Sequence, residues 1–342
     1  DRRTHAIGAN PHQQARALPR LDRSGGNGGR PHRARRPSLP DRSARLSLLA
    51  IVGPTASGKS AVALGLAEEL GASLVSVDSM QVYRGMDIGT AKPTPAEQSR
   101  VVHHLIVVAD PEDSFTVADT QRLGRTALAA ATGPVVIAGG TGLAFRAIVD
   151  PLEFPGRDPA VRTELEALGL EELRARLVQI DPEAGSQLDL AKPRRVIRAL
   201  EIHAVTGLTP TERAGTPAAQ AVRDYRPLHA FRAIGFDPGD RLEERIVARF
   251  DAMLEAGLLE EVTGLARRLG RTAAQAVGYK ELLPVVAGER SLAVGRADAI
   301  GATVAVAGNQ RTYFRRDPRI RWLRWDDDPV VRLARAREEL LA

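Results

Sequence analysis

The chain has 342 residues, 43% of them hydrophobic, which is enough to bury one large core or two moderate ones. It contains no cysteine, which excludes disulfides, cysteine-ligated zinc and iron–sulfur clusters and favours a reducing, cytoplasmic location. No apolar run approaches the ~20 residues that span a bilayer, so we expect no membrane segment.

Residues 1–46 form a basic tail whose composition differs from that of the rest of the chain. They hold 11 Arg and 3 Asp, a net charge of +8 against +6 for the whole chain, so the remaining residues carry −2. The tail lacks apolar periodicity and is predicted to be disordered. It could be an arm that contacts RNA, an organellar transit peptide, or an extension without function. We favour the last, because the tail contains no motif.

The body begins with a predicted buried strand over 48–52, a glycine-rich loop and a helix over 60–70 that ends at Gly71. The loop matches G-x-x-x-x-G-K-[ST] with Gly53, Pro54, Thr55, Ala56, Ser57, Gly58, Lys59 and Ser60. Such a loop wraps a phosphate with backbone amides and the positive end of a helix. We expect Lys59 to contact the terminal phosphate and the Ser60 hydroxyl to bind Mg²⁺. The motif does not say whose phosphate is bound.

Further short apolar segments predict strands over 74–77, 105–108, 135–138 and 228–236. Their alternation with helices predicts an α/β fold of the P-loop NTPase type, with a parallel sheet flanked by helices. Ligands of such sheets bind at the carboxyl ends of the strands, where Asp78 and Thr141 lie. Asp78 there could hold Mg²⁺ through water, accept a proton, or cap the next turn.

Between residues 154 and 210 the pattern changes to helices, predicted over 158–168, 170–179 and 192–206. We therefore predict a P-loop core over 47–153, an all-helical insertion domain over 154–210, and the second part of the core, with C-terminal helices, over 211–342.

A long helix is predicted after the insertion, with Asp240 as its N-cap and Glu243 completing a capping box. Its apolar face is formed by Leu242, Ile246, Phe250 and Leu254. Basic side chains recur along it at four-residue spacing, at Arg241, Arg245 and Arg249. They could bind an anion or form a solvated face paired with glutamates.

Five segments together resemble a known family. They are GPTASGKS at 53–60, DSMQVYRGMDIGTAKP at 78–93, His103-His104, GGTGL at 139–143 and VGYK at 277–280. In this order they are similar to the tRNA dimethylallyltransferases, also called tRNA isopentenyltransferases, over about residues 48–326. The segment 78–93 is far more specific than the P-loop.

The resemblance implies a prenyl transfer. Dimethylallyl diphosphate would alkylate the exocyclic N6 amine of the adenosine 3′-adjacent to the anticodon, tRNA position 37, giving N6-isopentenyladenosine and diphosphate. The P-loop would bind diphosphate with Mg²⁺. Lys59 and Arg249 would stabilise the charge that develops on the leaving group, with Thr55 near the bond that breaks. Asp78 would orient the amine and accept its proton.

The resemblance also implies contacts with the anticodon stem-loop of tRNA, made by a monomer. The residues that match tRNA-contacting positions are Asp78, Ser79, Met80, Gln81, Thr141, Arg162, Arg194, Arg195, Arg198, Gly278, Lys280, Gln310, Arg311 and Arg315. Three of these arginines, between 194 and 198, lie on about one helical turn and could clamp RNA phosphates.

Three other functions share the P-loop: a small-molecule kinase that uses ATP, a prenyltransferase that acts on free adenine nucleotide, and an RNA-binding NTPase switch. A kinase would not require segment 78–93. A prenyltransferase of free nucleotides would not need the helical insertion, so its presence favours tRNA.

Overall fold

A parallel six-stranded sheet organises residues 48–342, the part of the chain that the computed structural model describes. Its strands are β1 (Leu48–Val52), β2 (Ser73–Ser76), β3 (His103–His104), β4 (Val135–Gly139), β5 (Arg232–Phe236) and β6 (Ile320–Leu323). They lie in the order β3-β2-β4-β1-β5-β6, and all paired neighbours are parallel. The predicted fold class is confirmed. The predicted tail, 1–46, lies outside the described residues.

Fifteen helices lie in the described part of the chain, and some of them cover the two faces of this sheet. They are α1 (Lys59–Leu70), α2 (Pro95–Arg100), α3 (Val117–Ala130), α4 (Gly142–Val149), α5 (Pro159–Glu166), α6 (Leu170–Ile180), α7 (Ala184–Gln187), α8 (Pro193–Thr206), α9 (Pro210–Ala214), α10 (Pro217–Arg223), α11 (Leu242–Glu255), α12 (Leu258–Leu265), α13 (Tyr279–Val286), α14 (Leu292–Arg315) and α15 (Pro329–Leu341). Alternate residues of β1 face opposite sides. One side packs against α3 and α4, and the other against α1 and α15.

Helices α5 to α10 lie between α4 and β5 in the chain. Side chains of α5, α6 and α8 share a hydrophobic cluster of their own, centred on Leu173, Leu177 and Val196. The helical character predicted for this stretch is therefore present, and the helices continue past residue 210 to Arg223. Its division from the core as a domain stays a prediction.

The strand predicted over 105–108 was wrong, because β3 occupies only His103–His104. Leu105 and Val107 have φ angles of 61° and 53°, in the left-handed region that an extended strand excludes. The amides of Val107 and Val108 instead donate to the carbonyl oxygens of Gln81 and Val82. Leu105 and Ile106 are buried, Val107 is partly buried and Val108 is exposed, and together they form an irregular segment that packs beside residues 81–83.

The start of the long helix was also predicted wrongly. A 3₁₀ turn over Gly239–Arg241 precedes α11, and no side chain caps the helix. On its apolar face the fourth buried residue is Met253, and Leu254 is only partly buried. The strand predicted over 228–236 is β5, which starts at Arg232. The sequence analysis did not predict β6.

Candidate active site

The P-loop runs from β1 to α1 through alternating backbone conformations. Ala56 and Gly58 have φ angles of 60° and 80°, which turn successive amides toward a common concave side. Lys59 is buried, and its Nζ donates to the carbonyl oxygen of Pro54 at 3.0 Å. Burial lowers the pKa of Lys59 to about 8, Arg249 adds to this effect, and Asp78 opposes it. The loop thus holds a poorly solvated cation beside the strand ends.

Thr55 is held from two sides by residues far away in the chain. Its amide donates to Oε1 of Gln310 in α14 at 2.8 Å. Its hydroxyl accepts a hydrogen bond from Nη1 of Arg249 in α11 at 3.1 Å. Burial lowers the pKa of Arg249, while Asp78 raises it. Two helices therefore meet the P-loop at one residue.

Asp78 follows β2 and uses one carboxylate oxygen to cap the next turn. Its Oδ1 accepts the amides of Met80 at 2.9 Å and Gln81 at 3.4 Å. No hydrogen bond from residues 48–342 engages Oδ2. The amide of Thr141 donates to the carbonyl oxygen of Val77 at 3.0 Å, which brings the turn after β4 beside Asp78.

Two adjoining cavities lie over these residues. The smaller, of about 60 Å³, is lined by Lys59, Ser60 and the Gly139-Gly140 turn. The larger, of about 280 Å³, has mainly apolar walls, formed by Met80, Ile246, Phe250, Met253, Ala276, Val277 and Val306 with Ser79, Thr141, Gln275 and Thr303. Both are lined by Thr55, Asp78, Thr90, Arg249 and Gln310. The arrangement can hold an anion at one end and a flat apolar group at the other, with a carboxylate between them.

Segment 78–93 is fixed by a residue that sequence reasoning missed. The carboxylate of Glu261 in α12 accepts the amides of Asp87, Ile88 and Gly89 at 2.9, 2.8 and 3.1 Å. It also accepts the hydroxyl of Tyr279. A Cβ on Gly89 would lie 2.5 Å from that tyrosine ring, so the close approach requires glycine. In the sequence, the only feature that pointed to these contacts was Tyr279 in the VGYK segment.

Gln81 secures the other side of the same segment. Its Nε2 donates to the carbonyl oxygens of Thr90 and Ala91, both at 3.2 Å, and its Oε1 accepts from the hydroxyl of Ser76. Its amide group is thus already engaged within the loop, although the side chain still lines the smaller cavity.

The structure brings together part of the predicted site. The predicted residues that line the two cavities are Thr55, Ala56, Lys59, Ser60, Asp78, Ser79, Met80, Gln81, Thr141, Arg249 and Gln310. Those that line neither are Gly53, Pro54, Ser57, Gly58, Arg162, Arg194, Arg195, Arg198, Gly278, Lys280, Arg311 and Arg315.

Arg311 and Arg315 both form ion pairs with Asp237. Their Nη2 atoms lie 2.7 Å from Oδ1 and 3.0 Å from Oδ2, respectively. Burial alone would raise the pKa of Asp237, but hydrogen bonds from Arg311, the Gly239 amide and Arg315 lower it below its ordinary value. Gly278 precedes α13, where its amide donates to Glu281, and Lys280 is exposed.

The insertion carries an open groove of about 530 Å³ lined by four arginines, Arg194, Arg195, Arg198 and Arg213. Arg194 and Arg195 are exposed. Arg198 instead donates to the carbonyl oxygens of Pro155 and Gly156 and pairs with buried Glu201 at 2.7 Å. Arg213 was not singled out from the sequence, because no charge spacing along the chain links it to residues 194–198.

Arg162 does not line that groove. It pairs with Glu166 at 2.8 Å and with Glu201 at 3.5 Å.

Comparison with known proteins identifies a family. An IPP transferase family model matches residues 81–317, and an isopentenyl transferase model matches residues 46–106. A tRNA dimethylallyltransferase of Streptomyces coelicolor is 45% identical over 288 residues, covering 81% of this chain and 89% of the relative. The chain belongs to the tRNA dimethylallyltransferase family. It is a transferase, and the ATP-dependent kinase considered from the sequence is not favoured.

Further members of the family show the same likeness. A tRNA dimethylallyltransferase of Nocardioides is 44% identical over 302 residues, covering 84% of this chain and 94% of the relative. A crystal structure of the tRNA isopentenylpyrophosphate transferase of Bacillus halodurans matches with a TM-score of 0.60 at 35% identity, covering 87% of this chain and 97% of that one.

Within residues 48–342 no group of three or more His, Asp and Glu side chains is arranged to hold a metal ion. Over the same residues, no helix combines the length and apolar character needed to cross a membrane.

Proposed function

We propose that the protein transfers the dimethylallyl group of dimethylallyl diphosphate to the N6 amine of the adenosine 3′-adjacent to the anticodon, at tRNA position 37. The products are N6-isopentenyladenosine and diphosphate. The observation that carries this proposal is the pair of adjoining cavities, both of which are lined by Thr55, Asp78 and Arg249.

The diphosphate belongs in the smaller cavity. Breaking the allylic C–O bond leaves negative charge on the leaving group, and Lys59, Arg249 and the P-loop amides are placed to stabilise that charge as it develops. Thr55 would contact the same group at the boundary with the larger cavity. Because Arg249 already orients the Thr55 hydroxyl, little reorganisation would be needed during the reaction.

The donor set of this cavity fits a divalent cation that binds together with the diphosphate. Ser60 supplies a hydroxyl ligand, and Asp78, which lines the same cavity, would hold the cation only through water and so keeps its second oxygen for the substrate amine. Mg²⁺ takes oxygen ligands and often binds through one or two carboxylates plus substrate phosphates. We infer that Mg²⁺ is the cation. Once bound, it would neutralise charge on the leaving diphosphate.

Asp78 is the proposed proton acceptor. The adenine amine is a poor nucleophile whose lone pair is delocalised into the ring, and it becomes acidic only as the new C–N bond forms. One oxygen of Asp78 holds the turn through Met80, which fixes the carboxylate. The other oxygen can orient the amine and then accept its proton.

The larger cavity would take the adenine, which must leave the stacked anticodon loop to reach Asp78. Ser79, Met80 and Thr141 line this cavity together with Gln275 and Val277. Its apolar walls suit the faces of a planar base, and its few polar groups suit the edges.

The groove of the insertion would bind phosphates of the anticodon stem. Arg194, Arg195 and Arg213 are the proposed contacts, and the domain predicted over 154–210 would carry most of them. We further propose that Gly278, Lys280, Arg311 and Arg315 lie near the bound RNA. We propose that the enzyme acts as a monomer in the cytoplasm.

One assay tests the proposal. The full chain is incubated with labelled dimethylallyl diphosphate, Mg²⁺ and unmodified tRNA, with AMP and ATP in parallel reactions. We expect label only in tRNA, at position 37. Label in AMP and none in tRNA would replace the proposal with a prenyltransferase of free nucleotides. Phosphate transfer from ATP without prenylation would refute it.

A further inference from the structure

The segment that follows β6 packs against the P-loop. Trp325 Nε1 donates to the carbonyl oxygen of Ser57 at 2.9 Å. Arg332 of α15 lies against Gly58, because a Cβ on that glycine would be 2.7 Å from Arg332 Nη2. We call Trp325, Asp327 and Arg332 the C-terminal brace. It lies beyond residue 317, where the match to the IPP transferase model ends.

The brace is tied to α11 as well as to the P-loop. Arg245 of α11 donates from Nε to the carbonyl oxygen of Ala56 at 2.9 Å and pairs with Asp327 at 3.7 Å. The guanidinium groups of Arg245 and Arg332 lie 4.9 and 5.4 Å from the centre of the Trp325 ring. Three successive P-loop residues, 56, 57 and 58, are thus each contacted by one member of a cation–aromatic stack.

Burying the charged side chain of Arg332 costs desolvation free energy, which points to a role beyond packing. Its side chain is buried, and it donates to the carbonyl oxygens of Asp326 and Asp327. Burial lowers the pKa of Arg332, Arg245 lowers it further, and Asp326, Asp327 and Asp328 oppose this. A guanidinium so placed fixes the shape of the loop and adds positive potential behind it.

We propose that Trp325 and Arg332 are positioning residues for the diphosphate-binding loop. They line neither cavity and so act through the P-loop backbone. By holding the carbonyl of Ser57 and packing under Gly58, they keep the loop amides directed at the anion. The inference rests on the proposed function, because it takes the ligand of the loop to be a diphosphate.

The test compares two substitutions in the full chain with a matched control. Trp325→Phe removes the donor to Ser57 but keeps a ring for both guanidinium groups. Arg332→Met removes the charge and keeps the apolar stem. The control is Arg337→Met, because Arg337 is exposed on the same helix. The readouts are KM for dimethylallyl diphosphate, the inhibition constant of inorganic pyrophosphate, kcat, and the Kd for tRNA.

We expect KM and the pyrophosphate inhibition constant to rise about fivefold in Trp325→Phe, the effect of one ordinary hydrogen bond. In Arg332→Met the rise should be on the order of tenfold. The Kd for tRNA and all constants of Arg337→Met should stay within about twofold of wild type, the level expected of a surface change.

The pyrophosphate inhibition constant decides the outcome, measured where circular dichroism shows the variants folded. If it is unchanged in Arg332→Met, the brace only stabilises the fold, however far the melting temperature falls, and the inference is overturned. If Arg332→Met does not fold, Trp325→Phe decides in the same way. A wild-type chain that transfers no dimethylallyl group would instead refute the proposed function.

Discussion

Arg249 and Thr55 lie 194 residues apart in the chain, yet the Arg249 guanidinium donates directly to the Thr55 hydroxyl at 3.1 Å. Both residues line both cavities, and their contact joins α11 to the P-loop. Because Thr55 also donates to Gln310, α11 and α14 hold one loop residue between them. The position of the proposed leaving group therefore depends on how these helices pack.

Replacing Arg249 by alanine should slow the chemical step more than it weakens tRNA binding. A donor aimed at developing charge acts mainly on the transition state, and its loss typically costs about 10²- to 10³-fold in kcat. Steady-state kinetics at saturating tRNA measure this. Arg290→Ala is the control, because Arg290 pairs with Asp298 at the surface. An unchanged kcat in Arg249→Ala would remove the residue from the leaving-group site.

Asp78→Asn should strongly lower the turnover rate, while the turn that follows β2 keeps its conformation. The asparagine Oδ1 can still accept the amides of Met80 and Gln81, so only the proton acceptor is lost. Loss of a general base usually costs about 10²- to 10⁴-fold in rate. Single-turnover kinetics with prebound tRNA give the rate, and filter binding gives the tRNA Kd. A near-normal single-turnover rate would exclude Asp78 as the base.

Diphosphate affinity should fall as the pH rises above about 8, because burial lowers the pKa of Lys59 to about 8. A bound anion favours the charged amine and raises its pKa, so binding above this pH requires proton uptake. The affinity is then fully present below the lowered pKa and falls by up to about tenfold per pH unit above it.

Calorimetry with pyrophosphate at pH 8, in two buffers of different ionisation enthalpy, measures that proton uptake. Lys59→Arg is the control, since a guanidinium stays charged over this range. Equal apparent enthalpies in both buffers for the wild-type chain would contradict the prediction.

Glu261→Gln should destabilise the protein by about 1–3 kcal/mol, because one accepting oxygen is replaced by a donor that faces other donors. The affected donors are the amides of residues 87–89 and the Tyr279 hydroxyl. Urea denaturation gives the change in the free energy of unfolding. Glu260→Gln is the matched control, because Glu260 is exposed on the same helix. Equal stability of the two variants would show that Glu261 is dispensable for holding the loop.

The insertion arginines should divide into two classes. Arg195→Ala should raise the KM for tRNA with little change in kcat, and should flatten the logarithmic salt dependence of binding by about one unit. Arg198→Ala should chiefly lower stability, because it leaves the buried carboxylate of Glu201 short of a partner. Binding at two salt concentrations and urea denaturation separate these effects. A kcat defect in Arg195→Ala with unchanged KM would exclude an RNA contact.

Local patterns in the sequence predicted the elements that local physics controls. β1, α1 and the αL glycine at Gly71 were predicted within about one residue, because a buried apolar run, a glycine-rich loop and a helix C-cap are each encoded over a few adjacent residues. The strand predicted over 105–108 failed for the opposite reason. Only Leu105 and Ile106 are fully buried, and contacts with residues 81–83 determine the backbone conformation of the segment.

The active site was likewise predictable from the sequence only where neighbouring residues encode it. The P-loop and Asp78 are recognisable from the sequence, since their function needs particular residues beside one another. The role of Glu261 was not recognisable, because a glutamate on an ordinary amphipathic helix gives no sign that three amides of residues 87–89 will meet it.

The sequence by itself determined the fold class, the phosphate loop, the carboxylate at the end of β2 and the family. The resemblance pointed to Arg249 among the three regularly spaced arginines, but only the tertiary structure shows that Arg249 alone of the three lines the two cavities, and that Gln310 joins it at Thr55. Helical spacing puts Arg241, Arg245 and Arg249 on one side of a helix but leaves undetermined what that side faces. That is settled by the packing of α11 and α14 against the P-loop, through contacts between residues 194 and 255 positions apart in the chain.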